Sequence, residues 1–440
     1  MHRARQLVAA LVAVALVALP VPAAALGLLR DSDIERSLSQ LARPVLQAAG
    51  LSPGQVRVLV VDDGSLNAFI VDNRHIFINY GLILKLDTPA QLQAVIAHEA
   101  AHIANGHITR RTTNMKSMST AAGLGIALAT MAAAAGADGS AAAGAAMGAA
   151  SSAMRRFFSH TRAEESSADQ SSIRYLVRAG VDPRGAVEVM KLFSGQEVLS
   201  TARQDPYMRT HPLSRNRLRA LESYVAAYGK DAAPDPSALY WHDRARGKLS
   251  AFLRAPKWTM RRAPDSVSQD IRLMREAVAY HRRSDTARAL RAIDGALALR
   301  PGDPGYMDLK GQILLESRNF GAAVQAYGAA ARAAPGDPLI LGGYGRALLA
   351  AGRPQEALTA LERARSLDFR NARVLRDLAQ AYAKTGQTPM ASAVTAERYA
   401  LMGRMEDAKL HAERALARLP RGSGGWQRAQ DVLSAAERAL

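Results

Sequence analysis

Val95-Ile96-Ala97-His98-Glu99-Ala100-Ala101-His102-Ile103 places two histidines and a glutamate in the pattern HExxH, and this stretch decides how the chain is read. On a helix of 3.6 residues per turn, side chains four apart lie about 40° apart around the axis, so both imidazoles reach one metal ion. Glu99 falls between them, where it can hold a water. That is zincin chemistry. Just upstream, Thr88-Pro89-Ala90-Gln91 reads as a capping box with Pro at the first helical position, so the motif sits well inside a signalled helix, expected to run to about Lys116. The apolar Val95, Ile96, Ala97 and Ile103 give it the dry wall against which a metal-activated water works best.

A catalytic zinc takes three protein ligands and keeps one position open, so a third ligand is needed. His107 lies nine residues after His98, not ten as in the extended metzincin pattern. On a continuing helix it points away from His98, and it is read as structural. The stretch from Thr161 to Asp169 offers better chemistry, because Glu165 and Asp169 share one helix face. A carboxylate there can bind the metal while a second, one turn on, hydrogen-bonds a ligand histidine.

The 440 residues are 48% apolar, enough for two or three domains with a sizeable core. His2, Arg3 and Arg5 precede an apolar run from Leu7 to Leu19 and a small-residue site at Ala23-Ala24-Ala25. Residues 1–25 therefore read as a secretory signal peptide, the apolar run being short for a membrane anchor. With no cysteine, the fold uses neither disulfides nor zinc–thiolate ligation. The net charge of +18 is spread along the chain, suiting anionic membrane surfaces or acidic partners. No nucleic-acid motif is present, and no nucleic-acid partner is expected.

Residues 31–50 read as a helix and Val56 to Val61 as a strand. Ala68 to Val71 and His75 to Asn79 flank the turn-forming Asp72-Asn73-Arg74, so they are expected to pair as a hairpin just before the HExxH helix. An exposed strand edge there would accept an extended peptide. Residues 119–152, almost all small, read as a hairpin of two helices buried against the catalytic domain, with peripheral membrane contact as the other reading. Arg162 to Arg178 is a helix, followed by Thr210-His211-Pro212, a helix from Arg215 to Tyr228 and a basic helical segment over residues 238–263. Pro264 closes the first domain. Beyond it the chain repeats every 34 residues: Ala289, Ala323, Ala357 and Ala391 are in register, and Gly311, Ala323, Tyr327, Ala330 and Pro335 fall where a tetratricopeptide repeat has its small, aromatic and helix-ending residues. Met405 to Leu419 and Trp426 to Leu440 read as a degenerate unit and a terminal cap.

HExxH, a helix reading RxxExxAD, a His-Pro with downstream arginines, and the earlier Asn67-Ala68-Phe69 and Asn79-Tyr80-Gly81-Leu82 together resemble family 48 of the metallopeptidases, the gluzincins that include HtpX and the CAAX prenyl proteases. With the signal peptide and repeats, the chain is similar to the family's exported BepA-type (YfgC-type) branch. The resemblance implies a mainly α (α+β) fold: a zincin-like (gluzincin) metallopeptidase domain with a small β-sheet over residues 26–264, then an all-α repeat solenoid over 265–440. It implies one Zn²⁺ per chain on His98, His102 and Glu165, Glu99 as catalytic general base, Asp169 supporting the site from behind, and His211 as an inhibitory fourth ligand. The other reading of His211 is a helix-start histidine in a structural hydrogen bond. Ala101 stands where the family commonly has Gly, and alanine is the better helix former. The implied activity is a zinc metalloendopeptidase of the periplasm, associated with the outer membrane, that cleaves misfolded or stalled outer-membrane proteins while its repeats recruit client or assembly machinery. The competing class is a periplasmic chaperone or scaffold that acts through its repeats with the zinc site plugged by His211.

Overall fold

The computed structural model describes residues 27–109, 162–196, 203, 205–211, 214–229 and 232–440. The expected signal peptide and the small-residue hairpin of residues 119–152 lie outside them. The described chain separates into two compact units, Gly27–Arg318 and Asn319–Leu440. Among the described residues no helix is long and apolar enough to cross a membrane.

The first unit opens with β1 (Leu28–Leu29) and α1 (Ser32–Ala48), whose N-terminus is capped by the Asp31 side chain accepting from the backbone N–H groups of Asp33 and Ile34. β2 (Arg57–Val61), β3 (Ala68–Ile70) and β4 (His75–Asn79) join β1 in a four-stranded sheet of order β1-β2-β4-β3. The hairpin is as the sequence indicates: β3 and β4 are antiparallel, Phe69 faces Phe77, and Asp72 accepts from the N–H groups of Arg74 and His75 in the turn. β3 is therefore an edge strand. The sequence does not announce β1, nor the parallel pairing of β2 with β4. Period-2 alternation sends Val58, Val60, Ile76 and Ile78 into the main core and Leu59, Val61 and Phe77 to a small cluster on the other face.

β4 turns directly into α2 (Tyr80–Lys85), and a Cβ on Gly81 would meet the Gly64 carbonyl oxygen at 2.1 Å. Only glycine fits there. α3 (Pro89–Ala104) begins with the expected capping box, Thr88 with Gln91, and Pro89 at its start. It does not continue to Lys116. Asn105 caps it, Gly106 takes a φ of +70°, and a new helical turn begins at residue 107. The glycine reverses the backbone where an uninterrupted period would have carried it on.

Helix α4 covers residues 162–178, and α5 (Arg184–Leu192) crosses the first turn of α3. α6 (Pro206–Thr210) and α7 (Arg215–Tyr228) follow. The single segment expected over residues 238–263 is two helices, α8 (Pro236–Leu253) and α9 (Pro256–Arg262), because Pro256 has no N–H to continue the ladder. α10 (Gln269–His281), α11 (Thr286–Leu299) and α12 (Pro304–Glu316) share a core with Ala251 of α8. Arg244 of α8, fully buried, donates from Nε to Asp33 Oδ1 at 2.7 Å and from Nη2 to Asp303 Oδ1 at 2.6 Å. Lys248, also fully buried, donates to Asp31 at 2.9 Å. A Cβ on Gly305 would meet Asp33 Cγ at 2.7 Å, so the start of α12 comes this close only as glycine.

In the second unit α13 (Phe320–Ala333), α14 (Pro338–Ala350), α15 (Pro354–Leu367), α16 (Ala372–Lys384), α17 (Thr388–Leu401), α18 (Met405–Leu416) and α19 (Gly424–Ala439) stack as successive antiparallel neighbours. Small residues set the spacing: a Cβ on Gly345 would lie 2.4 Å from Leu361 Cγ.

Losing Asp303 would leave Arg244 with Asp33 as its carboxylate partner. Asp303→Asn is expected to lower stability at neutral pH by roughly 1–3 kcal/mol, read from urea unfolding. Burial raises the Asp303 carboxyl, but Arg244 outweighs it and holds the group below its ordinary 3.8. A depressed folded value gives stability that is present above pH 3.8 and lost as pH falls through that folded value, so wild type and variant should converge in acid. Gly81→Ala is expected to cost about 1–3 kcal/mol by the same measurement, through the clash with the Gly64 backbone.

Candidate metal centre

The buried face of α3 carries His98, Glu99 and His102; α4 brings Glu165 and Asp169; His211 follows α6. All six are buried. His98 Nε2 lies 3.1 Å from His102 Nε2, 3.3 Å from Glu165 Oε2 and 3.3 Å from His211 Nδ1. His102 Nε2 is 3.4 Å from Glu165 Oε1, and His211 Nδ1 is 3.0 Å from Glu165 Oε2. Around a tetrahedral ion with bonds of 2.0–2.1 Å, neighbouring ligand atoms stand about 3.3–3.4 Å apart. A 3.1 Å approach of the two Nε2 atoms suits either an N–H···N hydrogen bond or two ligands sharing one cation. The four residues form the metal-type cluster found among the described residues.

Around this centre the supporting contacts are specific. His98 Nδ1 lies 3.2 Å from Asp169 Oδ1, leaving Nε2 for the centre. Arg217 of α7 grips Asp169 with two bonds of 2.8 Å and reaches Glu165 Oε2 at 3.2 Å. His107, brought back by the turn at Gly106, places Nδ1 2.9 Å from His102 Nδ1. It touches a candidate ligand from behind and is not part of the cluster, in keeping with a structural histidine. His211 Nε2 faces the other way, 3.4 Å from Glu99 Oε1 and 3.2 Å from the Ala68 carbonyl oxygen of edge strand β3. The Tyr207 ring packs against His211 with centroids 4.7 Å apart, and its N–H donates to Leu66 O.

Electrostatics follow the same pattern. Burial opposes a proton on His98, yet Asp169 and Glu165 raise it to about 10. Burial and the charge on His98 push His102 well down. Burial would raise the Glu165 and Asp169 carboxyls, but His211 and His98 pull the first well below the usual range, and His98 and Arg217 lower the second. Both carboxylates are thereby held ionised among the histidines.

Residues 29–225 match Peptidase family M48, and residues 314–368 and 348–398 match the tetratricopeptide repeat. The chain carries an M48 peptidase domain. Two relatives are each named beta-barrel assembly-enhancing protease. That of Escherichia coli K12 is 24% identical over 87% of this chain and 78% of its own length; that of Yersinia pestis is 25% identical over 83% and 75%. Among solved structures, MamA of Desulfovibrio magneticus RS-1 is 19% identical over 37% of this chain and 94% of that chain, with a TM-score of 0.32. Within the M48 domain, sequence reasoning brought together His98, Glu99, His102, Glu165, Asp169 and His211, and the fold places them in one cluster. It missed Tyr207, and it did not single out Arg217 from Arg215 and Arg219, since nothing local distinguishes the three.

Asp169→Asn is expected to weaken metal retention about 10–100-fold, measured as metal content after dialysis against a graded chelator. Unchanged retention would remove Asp169 from the support of His98.

Proposed function

We propose that this chain is an exported zinc-dependent metalloendopeptidase, its metal held by His98, His102 and Glu165, with His211 at the fourth position as an internal plug. The observation that carries the reading is the convergence of one ligand atom from each of these four buried residues to within 4.8 Å of one another, five of the separations being 3.0–3.4 Å, in keeping with donors gathered around one zinc-sized ion. When bound, zinc supplies Lewis acidity, lowering the pKa of a water and polarising a peptide carbonyl. The protein's own groups do the rest. Glu99 takes the proton of the attacking water on its carboxylate and returns it to the leaving amine. Asp169 fixes the His98 tautomer through Nδ1, and Arg217 keeps Asp169 ionised while holding both carboxylates in place. Edge strand β3 offers backbone groups to an extended substrate beside the site. His211 holds Ala68 O and Glu99 at one nitrogen and the ligand cluster at the other, so its departure frees strand edge, base and metal position together.

The substrates proposed are misfolded or stalled outer-membrane proteins, in keeping with relatives named for β-barrel assembly, and the location proposed is the periplasm after cleavage near Ala25. The peptidase domain is proposed to run through residue 264 and the repeats, from 265, to bind client or assembly machinery. The plugged geometry of His211 also favours a second reading, a chaperone or scaffold working through the repeats.

Metal content and casein cleavage by the mature chain separate the two. Cleavage is expected to fall about 10²-fold or more in Glu99→Gln and to rise in His211→Ala. Stoichiometric zinc with no cleavage by either wild type or His211→Ala, alongside retention of unfolded protein, would establish the scaffold reading instead.

A further inference from the structure

In the second unit the charge is sorted by helix. α14 and α16 carry Arg346, Arg373, Arg376 and Lys384 against a single carboxylate, Asp377. Their partners α15 and α17 carry equal numbers of each sign: Glu356, Glu362, Arg363 and Arg365 on one, Glu397 and Arg398 on the other. The carboxylate of Glu397 is shared by Arg365 at 2.7 Å and Arg428 at 2.9 Å. α14 also packs directly on α16, whereas α15 and α17 make at most slight contact, so α14 and α16 form the inner, concave layer of this stack.

On that layer three guanidinium groups crowd one acid. Arg346 Nε donates to Asp377 Oδ2 at 2.8 Å, and Arg376 donates from Nε and Nη2 to Oδ1 at 2.9 and 2.8 Å. Asp377 is thus spoken for at both oxygens, and it is nearly inaccessible, while the Arg376 side chain is 56% exposed. Arg373 stands exposed beside them. Desolvation by the side chains around it and the nearby charges of Arg346 and Arg376 hold it below the ordinary arginine value. A planar guanidinium with unused donors, next to two more of its kind, is a receptor for carboxylates.

We propose that the α14–α16 face docks an acidic segment of a partner polypeptide, whose carboxylates are taken by Arg346, Arg373 and Arg376. This goes beyond the reading of the repeats as a protein-binding arm by naming the chemistry of the partner, and it does not depend on the peptidase chemistry.

The test is fluorescence anisotropy of the full chain with a fluorescein-labelled octaglutamate peptide and its octaglutamine counterpart. The glutamate peptide is expected to bind, more weakly as salt rises, and the glutamine peptide not to bind. Arg373→Gln/Arg376→Gln should lower affinity about tenfold or more. Asp377→Asn should raise it, a change that misfolding cannot mimic. Equal binding of both peptides, or unchanged affinity in the double variant and in Asp377→Asn, overturns the proposal. So does stronger capture of vesicles containing phosphatidylglycerol, or displacement of the peptide by inorganic phosphate, since either assigns the arginines to a different anion.

Discussion

Two carboxylates, Glu165 and Asp169, are buried beneath the HExxH helix, and the surrounding structure is arranged to make that tolerable. An isolated buried carboxylate would take up a proton rather than stay charged. Here each is met from several sides: Asp169 by His98 and Arg217, Glu165 by His98, His102, His211 and Arg217. The groups come from α3, α4, α7 and the segment after α6, so the helices of the M48 domain are tied together through charge as well as through their apolar core. The ion pairs that keep these carboxylates charged also fix the packing of these elements.

What could be read from the sequence is what depends on neighbours along the chain. The capping box, Pro89, HExxH and the shared face of Glu165 and Asp169 are all matters of spacing within a few residues, and the structure has them as spacing dictates. The turn at Gly106 broke an expected continuous helix, since hydrophobic period alone does not register a single reversal of backbone hand. Arg217 was harder, because its partner Asp169 lies 48 residues away and it stands between two other arginines. The two-residue β1 and the parallel pairing of β2 with β4 are likewise settled by long-range contacts. His211 was legible only as part of an ordered set of motifs, and the fold adds that its two nitrogens face different partners.

The repeats follow a different logic. Their helices meet through Ala and Gly, and their charges are divided between layers, balanced on α15 and α17 and unbalanced on α14 and α16. A 34-residue period makes the first property visible at once, since alanines recur in register. It conceals the second, which appears only when the helices are sorted by layer.

Arg244 and Lys248 give the first unit an unexpected reach. Their carboxylate partners are Asp31 and Asp33 at the N-terminus of α1 and Asp303 at the start of α12, so detaching the first repeat helices from α8 would leave an arginine facing fewer anions in an apolar setting. Such openings are costly. Those helices should therefore exchange their amide hydrogens at the slow pace of the sheet and the HExxH helix, and the cooperative block defined by local unfolding should extend well past Pro264 into the repeat sequence.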